Sequence, residues 1–337
     1  MGAFCTFKST HFPRDKGRFG EAKDVWKDRL RRAHELLGRA TSLYVHIPFC
    51  TKKCPYCHFF VIPYNSRHVD LFKEALLAEL RSKRHMLSDR LTSIYFGGGT
   101  PSLCPDIVEA VSSELCPGPG CEVTLEYNPE RVEAVPGVTR ASIGVQSLDD
   151  ALLKRLGRTH TADEARRGVE LAASFARDVT IDLMYDVPGQ RLDVWQSTVK
   201  EATTLPITHL SLYNLTIEPH TPFWKEDMGR FAPPEEVSLE MLEFACEAFE
   251  RTGLKRYEIS AFARDGRYAV HNSGYWKGTP FVGIGPSAFS YINGVRSQNQ
   301  PNFGRYLRAA HSGEGLVSFS ECLPDPERIG ELLAIRL

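Results

Sequence analysis

The sequence predicts an α/β protein built on a parallel sheet, and three observations predict it. Short apolar, β-rich runs alternate with helical periodicities of 10–15 residues, the pattern of repeated βα units. The 337 residues suit one α/β barrel of about 250 residues with an appendage. The proportions, 42% hydrophobic and 25% charged, are globular and exclude wholesale disorder. A net charge of −1 gives nothing global to attract nucleic acid or anionic lipid. No apolar run approaches the roughly 20 residues of a membrane span, and the first residues lack the apolar core of a secretory signal.

Residues 1–40 read as a separate basic extension, with ten Lys and Arg against five Asp and Glu. Trp26, Leu30, Ala33, Leu36 and Leu37 recur at helical spacing and predict an amphipathic helix over about 25–38. Five acids argue against a mitochondrial transit peptide. Residues 41–255 carry the alternation. Strands are expected at 43–47, 93–96, 121–128, 141–145, 179–185 and 209–215, with helices near 69–86, 105–115, 162–175, 193–204 and 236–252. Six strands fit an open, partial barrel or a doubly wound sheet equally well. Over 256–337 the alternation decays into Gly-, Asn- and Pro-rich runs that predict turns, a hairpin and loops, and the last residues begin a helix.

Nine cysteines, an odd and low count, speak for a reducing cytoplasm and against a disulfide scaffold. Three of them, Cys50, Cys54 and Cys57, crowd into CTKKCPYC just past a strand's C-terminal end, where parallel α/β folds collect ligands. Three thiolates suit a zinc site needing a fourth ligand, or an iron–sulfur cluster with one iron left open. For zinc, His46 or His58 would supply the fourth, but His58 directly follows Cys57 and would strain the chelate. Lys52 and Lys53 are either solvated charges or aids to reducing an anionic cluster. GGGTPS (97–102) follows a strand, and its glycines let the backbone pass close to a ligand. It lacks the Lys-Ser/Thr of a P-loop.

The CxxxCxxC spacing behind LYVHIPF resembles the signature of the radical S-adenosylmethionine (SAM) superfamily. LYVHIPFC, YFGGGTPS, TLEYNPE, SIGVQS, LGRTH, IDLMYDVPGQ and HNSGYW–VGIGPSAFS, in this order over about 42–300, are similar to the HemN/HemW family. The resemblance implies a partial (β/α)6 barrel with a C-terminal α+β segment, bearing a [4Fe-4S] cluster and SAM at its C-terminal mouth. An electron from the cluster cleaves SAM in that superfamily, the cofactor pair carrying the chemistry. It further implies Cys50, Cys54 and Cys57 as cluster ligands and Tyr44 at the cluster–SAM edge. Gly98, Gly99, Thr100, Glu126, Gln146, Arg158 and Asp182 match its SAM-contacting positions. The plain alternatives are a strand-end salt bridge for Glu126, a surface charge for Arg158 and a loop anchor for Asp182.

The oxidase branch of the family carries a further cysteine two positions past the third, and here that position is Phe59. CxxxCxxCxF is the HemW pattern, which implies a haem chaperone handing haem to acceptor apoproteins and reduced by a donor such as flavodoxin or ferredoxin. HNSGYW resembles that branch's haem-binding stretch and makes His271 the candidate axial ligand, or else a loop tie. The rival reading is an oxygen-independent coproporphyrinogen III oxidase. Three departures stand out. Asp186 replaces the family's usual Gly in YDVPGQ, the 1–40 extension is long, and the family's C-terminal helical region is expected to be incomplete at Leu337.

Overall fold

An alternation with a period of two sets the architecture. In the strand Ser42–Ile47 (β1), Leu43, Val45 and Ile47 face one way and Ser42, Tyr44 and His46 the other, and all six are buried. A strand buried on both faces needs cover on both sides. The same alternation recurs in Ser93–Gly98 (β2), Glu122–Tyr127 (β3), Arg140–Gln146 (β4), Asp178–Tyr185 (β5) and His209–Asn214 (β6). Each runs parallel to its predecessor. Their apolar faces join one core with Phe72, Leu76 and Leu80 of helix Ser66–Lys83 (α1) and with the helices Pro105–Leu115 (α2), Ala162–Phe175 (α4) and Leu192–Ala202 (α5). A short helix, Asp150–Arg155 (α3), precedes α4. The polar faces line the interior. The structure, a computed structural model, describes residues 39–334, so the helix expected over 25–38 lies outside the described residues.

Local chemistry starts the helices where the periodicity predicts them. The Asn65 side chain accepts from the amides of Arg67 and His68 ahead of α1. Thr161 and Glu164 form a reciprocal capping box at α4. After helix Glu235–Arg251 (α6), the strand Ala261–Arg264 (β8) pairs antiparallel with β6, and Leu254–Arg256 (β7) pairs antiparallel with β8 at the sheet edge.

The C-terminal segment holds more strand than the sequence reading anticipates. Beyond helix Val270–Trp276 (α7), Phe281–Ile284 (β9) joins β1 in parallel on its free edge. Phe289–Ile292 (β10), Val295–Asn299 (β11) and Val317–Cys322 (β12) extend the sheet antiparallel. The order β12-β11-β10-β9-β1-β2-β3-β4-β5-β6-β8-β7 makes one open twelve-stranded sheet, a partial barrel with β7 and β12 at its edges. The expected hairpin is β10–β11, turned by Asn293 and Gly294, both at positive φ (54° and 75°) between the paired Ile292 and Val295. Two helices follow, Phe303–Ser312 (α8) and Asp325–Ala334 (α9). No helix of the described residues is long and apolar enough to cross a membrane.

A buried carboxylate ties this segment to the barrel. Glu79 of α1, 0% exposed, pairs with Lys83 at 2.7 Å. It accepts from the Gly285 amide (2.9 Å), Asn299 Nδ2 (2.7 Å) and the Tyr306 hydroxyl (2.7 Å). Removing one partner of such a network leaves the others desolvated and unpaired. Glu79→Ala is expected to lower the unfolding free energy by about 3–5 kcal/mol, read as a lower urea midpoint with an unchanged slope.

Candidate functional site

The site forms where β1 and β2 end. Beyond β1 the chain makes a two-residue strand, Phe49–Cys50, paired in parallel with Ile62–Pro63. The loop between is therefore pinned at its base, with the Tyr64 amide donating to the Cys50 carbonyl at 2.9 Å. The Cys57 amide donates to the Cys54 carbonyl at 3.1 Å, which folds the CPYC turn. All three thiols are half-buried and line a cavity of about 450 Å³ at the barrel's C-terminal mouth. Burial pushes the Cys50 thiol up to about 11 and raises that of Cys57. Among the described residues no three His, Cys, Asp or Glu side chains are gathered tightly enough to hold a single metal ion.

His46 is committed elsewhere. Burial lowers its pKa to about 4, so the ring is neutral near pH 7. Its Nε2 faces the Phe60 carbonyl at 2.8 Å, which only accepts, so Nε2 carries the proton. Nδ1 then accepts from the Tyr44 hydroxyl at 3.0 Å. The ring holds the cysteine loop to the barrel, and neither nitrogen is spare for a metal.

The glycines serve that same packing. A Cβ on Gly98 (φ 119°) would lie 2.7 Å from His46 Cε1, and one on Gly99 would lie 2.5 Å from the Phe49 carbonyl oxygen. The glycine run thus passes beneath the cysteine loop, and the Thr100 amide donates to the Phe49 carbonyl at 2.7 Å. From Thr100 a chain of side-chain contacts runs between two thiols. The Cys50 sulfur lies 3.7 Å from the Thr100 hydroxyl, and Asn128 Nδ2 donates to that hydroxyl at 3.3 Å. Asn128 Oδ1 accepts from Arg158 Nη2 at 2.8 Å, and Arg158 Nη1 donates to Cys54 Sγ at 3.7 Å.

Deeper in, Glu126 accepts from the Tyr95 hydroxyl at 2.7 Å and from the Gly98 amide at 3.1 Å. Burial raises its pKa to about 7, and burial raises that of neighbouring Asp182, bonded to Ser211, to about 6. Gln146 ends β4 at φ 65°, and its Nε2 and Arg158 Nη2 both close in on Gly144, where a Cβ would lie 3.0 and 3.4 Å from them. Tyr44, the three cysteines, Gly98, Gly99, Thr100, Glu126, Gln146, Arg158 and Asp182 all line this one cavity. Sequence reasoning passed over Asn128, Tyr95 and Tyr213, which line it too. Their signal was parity: Asn128 shares the strand face of Glu126, and Tyr213 follows two residues after Ser211.

His271 lies apart from the cavity wall, on α7 and 1% exposed. Its amide donates to Glu122 at 3.0 Å. The Ser93 hydroxyl, which donates to Ser42, receives the His271 Nδ1 proton at 2.9 Å. Nε2 then accepts from the Tyr275 hydroxyl at 2.8 Å. The ring helps to floor the barrel beneath Tyr95, 5.1 Å away between centroids.

Asp186, the departure in YDVPGQ, has a physical reading. Its φ is 60°, the left-handed region where Gly is free and Asp is among the residues best tolerated. Its carboxylate accepts from Asn214 Nδ2 and Ser238 Oγ, which ties β6 to the start of α6. Asp186→Gly is expected to keep the turn and lose those ties, lowering stability by about 1–3 kcal/mol in chemical denaturation.

The two acids make a second expectation. Their folded pKa values lie above the ordinary 4.5 and 3.8, so the folded state binds protons more readily than the unfolded. That contribution is complete below about pH 4 and is lost as pH rises through about 6 to 7, on the order of 3 kcal/mol per carboxyl. Burial lowers the pKa values of His46, His209 and His271, which acts in the opposite sense over the same window. The check is therefore a difference: in thermal melts of cofactor-free protein, Glu126→Gln with Asp182→Asn should gain stability relative to the parent as pH rises from about 4 to 7.

Comparison with known proteins agrees with this architecture. The radical SAM superfamily profile matches residues 44–202. The heme chaperone HemW of Lactococcus lactis is 34% identical over 290 residues, 82% of this chain and 76% of its own length. That of Escherichia coli is 36% identical over 271 residues, 74% of this chain and 70% of its own. The zebrafish "Radical S-adenosyl methionine domain-containing protein 1, mitochondrial" is 38% identical over 73% of this chain, and the match spans only 59% of that relative. The solved structure of coproporphyrinogen III oxidase (HemN) from Escherichia coli superposes with a TM-score of 0.80 at 21% identity, over 92% of this chain and 78% of that one. At that identity the superposition speaks for the fold, while the HemW relatives speak for descent: the chain belongs to the HemN/HemW family of radical SAM proteins.

Proposed function

We propose that this protein is a radical SAM protein of the HemW type, which holds a [4Fe-4S] cluster on Cys50, Cys54 and Cys57, binds SAM in the adjoining cavity and carries haem to acceptor apoproteins. The donor set fits a cluster. Three half-buried thiols share one lip of the cavity with Arg158, whose Nε is buried without a partner. The cavity lies within the roughly 300–1,000 Å³ of small-molecule sites. When bound, the cluster supplies one-electron reduction of SAM. The chain's own residues frame the site: Gly98 and Gly99 let the backbone pack close beneath the cysteine loop, and Glu126 and Asp182 present carboxyls to the cavity.

The observation that favours a chaperone over an oxidase is Phe59, whose side chain lines the cavity where the oxidase branch has a cysteine. His271 supports haem ligation in one respect. Its Nδ1–H is oriented by Ser93, leaving the Nε2 lone pair as the ligand, as second-shell bonds do for metal-bound imidazoles. Iron reaches that lone pair only when the Tyr275 hydroxyl leaves it. Haem or porphyrin, an acceptor apoprotein and a flavodoxin- or ferredoxin-like donor are the partners this reading implies. Eight described cysteines are free thiols, in keeping with a reducing cytoplasm.

Anaerobically reconstituted protein is expected to hold about four irons per chain, and Cys50→Ala to lose the cluster. Reduced with dithionite, it should release 5′-deoxyadenosine from SAM. It should bind haem with a Soret shift that His271→Ala diminishes, and leave coproporphyrinogen III unconverted. Protoporphyrinogen IX accumulating over many turnovers would replace the chaperone reading with the oxidase.

A further inference from the structure

The three thiols are not equivalent. Arg158 Nη1 donates to Cys54 Sγ at 3.7 Å, and the Tyr56 hydroxyl stands within reach of the same sulfur. Cys50 meets the neutral Thr100 hydroxyl and Cys57 the backbone amide of Phe59, while the Arg158 charge reaches these two sulfurs through space and not through a hydrogen bond. Both groups beside Cys54 are held from behind. Gly157 (φ 70°) packs so closely that a Cβ would lie 2.5 Å from Pro55 Cδ, which presses the turn bearing Arg158 against the cysteine loop. The Arg158 guanidinium is steadied by neutral acceptors, Asn128 Oδ1 at 2.8 Å and the Gly144 carbonyl at 2.9 Å. Its positive charge stands beside the thiols, with the Glu130 carboxylate acting on it through space. Tyr56 packs on the apolar group of Leu152, Leu156, Val187 and Phe223, its ring 6.3 Å from that of Phe223.

Hydrogen bonds to ligand sulfurs and the net charge around them are two of the levers that set an iron–sulfur potential. Reduction adds one electron to the cluster, with no bond made or broken, and so adds one negative charge. A cation and a hydroxyl proton aimed at a ligand sulfur favour the reduced form more than the oxidised. The geometry points to Cys54 as the tuned ligand, with Arg158 and Tyr56 raising the midpoint potential of the cluster so that a mild intracellular reductant suffices. This rests on the cluster reading above and goes beyond it by giving these two residues a redox role.

The test is a mediated potentiometric titration of reconstituted protein, with dithionite as reductant, followed by the electron paramagnetic resonance signal of the reduced cluster. It is run without SAM, so that altered SAM binding cannot move the result. Tyr56→Phe and Arg158→Met are both expected to show a lower midpoint than the parent at equal iron content. Arg158→Met should fall further, and Arg158→Lys, which keeps the charge, should fall less than Arg158→Met. Fully loaded Tyr56→Phe and Arg158→Met with the parent midpoint overturn the inference. If Arg158→Met fails to load iron, the Tyr56→Phe titration decides alone. A parent chain that takes up no iron overturns the cluster reading instead.

Discussion

The rest of the molecule depends on one constraint: the inward face of six parallel strands is polar, yet it is shut away from bulk water. At the barrel's lower end this is met by pairing. Arg140, 3% exposed, bonds Glu122 at 2.9 Å and Thr180 at 3.2 Å, and its Nη2 donates to the carbonyls of Arg267 and Tyr268. Asp178 takes Arg177 and Arg267. Glu122 also accepts the amides of Val270 and His271, which docks the first turn of α7 onto the floor. Buried charges are tolerated only when so satisfied. The upper half has no such closure, and there the same inward positions become cavity wall.

That division explains what the sequence discloses. The six barrel strands and their helices are legible because the apolar runs and the helical repeats are local. The cysteine loop is legible because ligand spacing is local too. β9 is not, because FVGI lies in a Gly- and Pro-rich run and its pairing with β1 spans more than 200 residues. Gly283 is required there only by the approach of the Phe289 carbonyl, 1.9 Å from where a Cβ would sit, a contact that no window around Gly283 contains. Asn128 and Tyr95 lie in recognisable motifs without an evident role, since their partners Thr100, Arg158 and Glu126 come from distant parts of the chain. Asp186 read as an anomaly until its φ showed that the turn, and not the residue type, is what the position demands.

The cavity also sorts its charges by place. Two carboxyls with raised pKa values line one part of the wall, while the Arg158 guanidinium stands beside the thiols. Under the proposed reading, a ligand bearing groups of both signs meets opposite ends of that separation and is oriented by it. The side-chain chain from Cys50 through Thr100, Asn128 and Arg158 to Cys54 couples the lip into one unit. A change at any member therefore moves the others, and effects of substitutions along it will not add.

The sealed floor has a further meaning for traffic. With Arg140, Glu122, Asp178 and His271 packed into the lower end, the described residues leave the cavity facing the end where the thiols stand. Under the proposed reading, a haem that reaches His271 must part this packing, whereas a guest seated among the thiols need not disturb it.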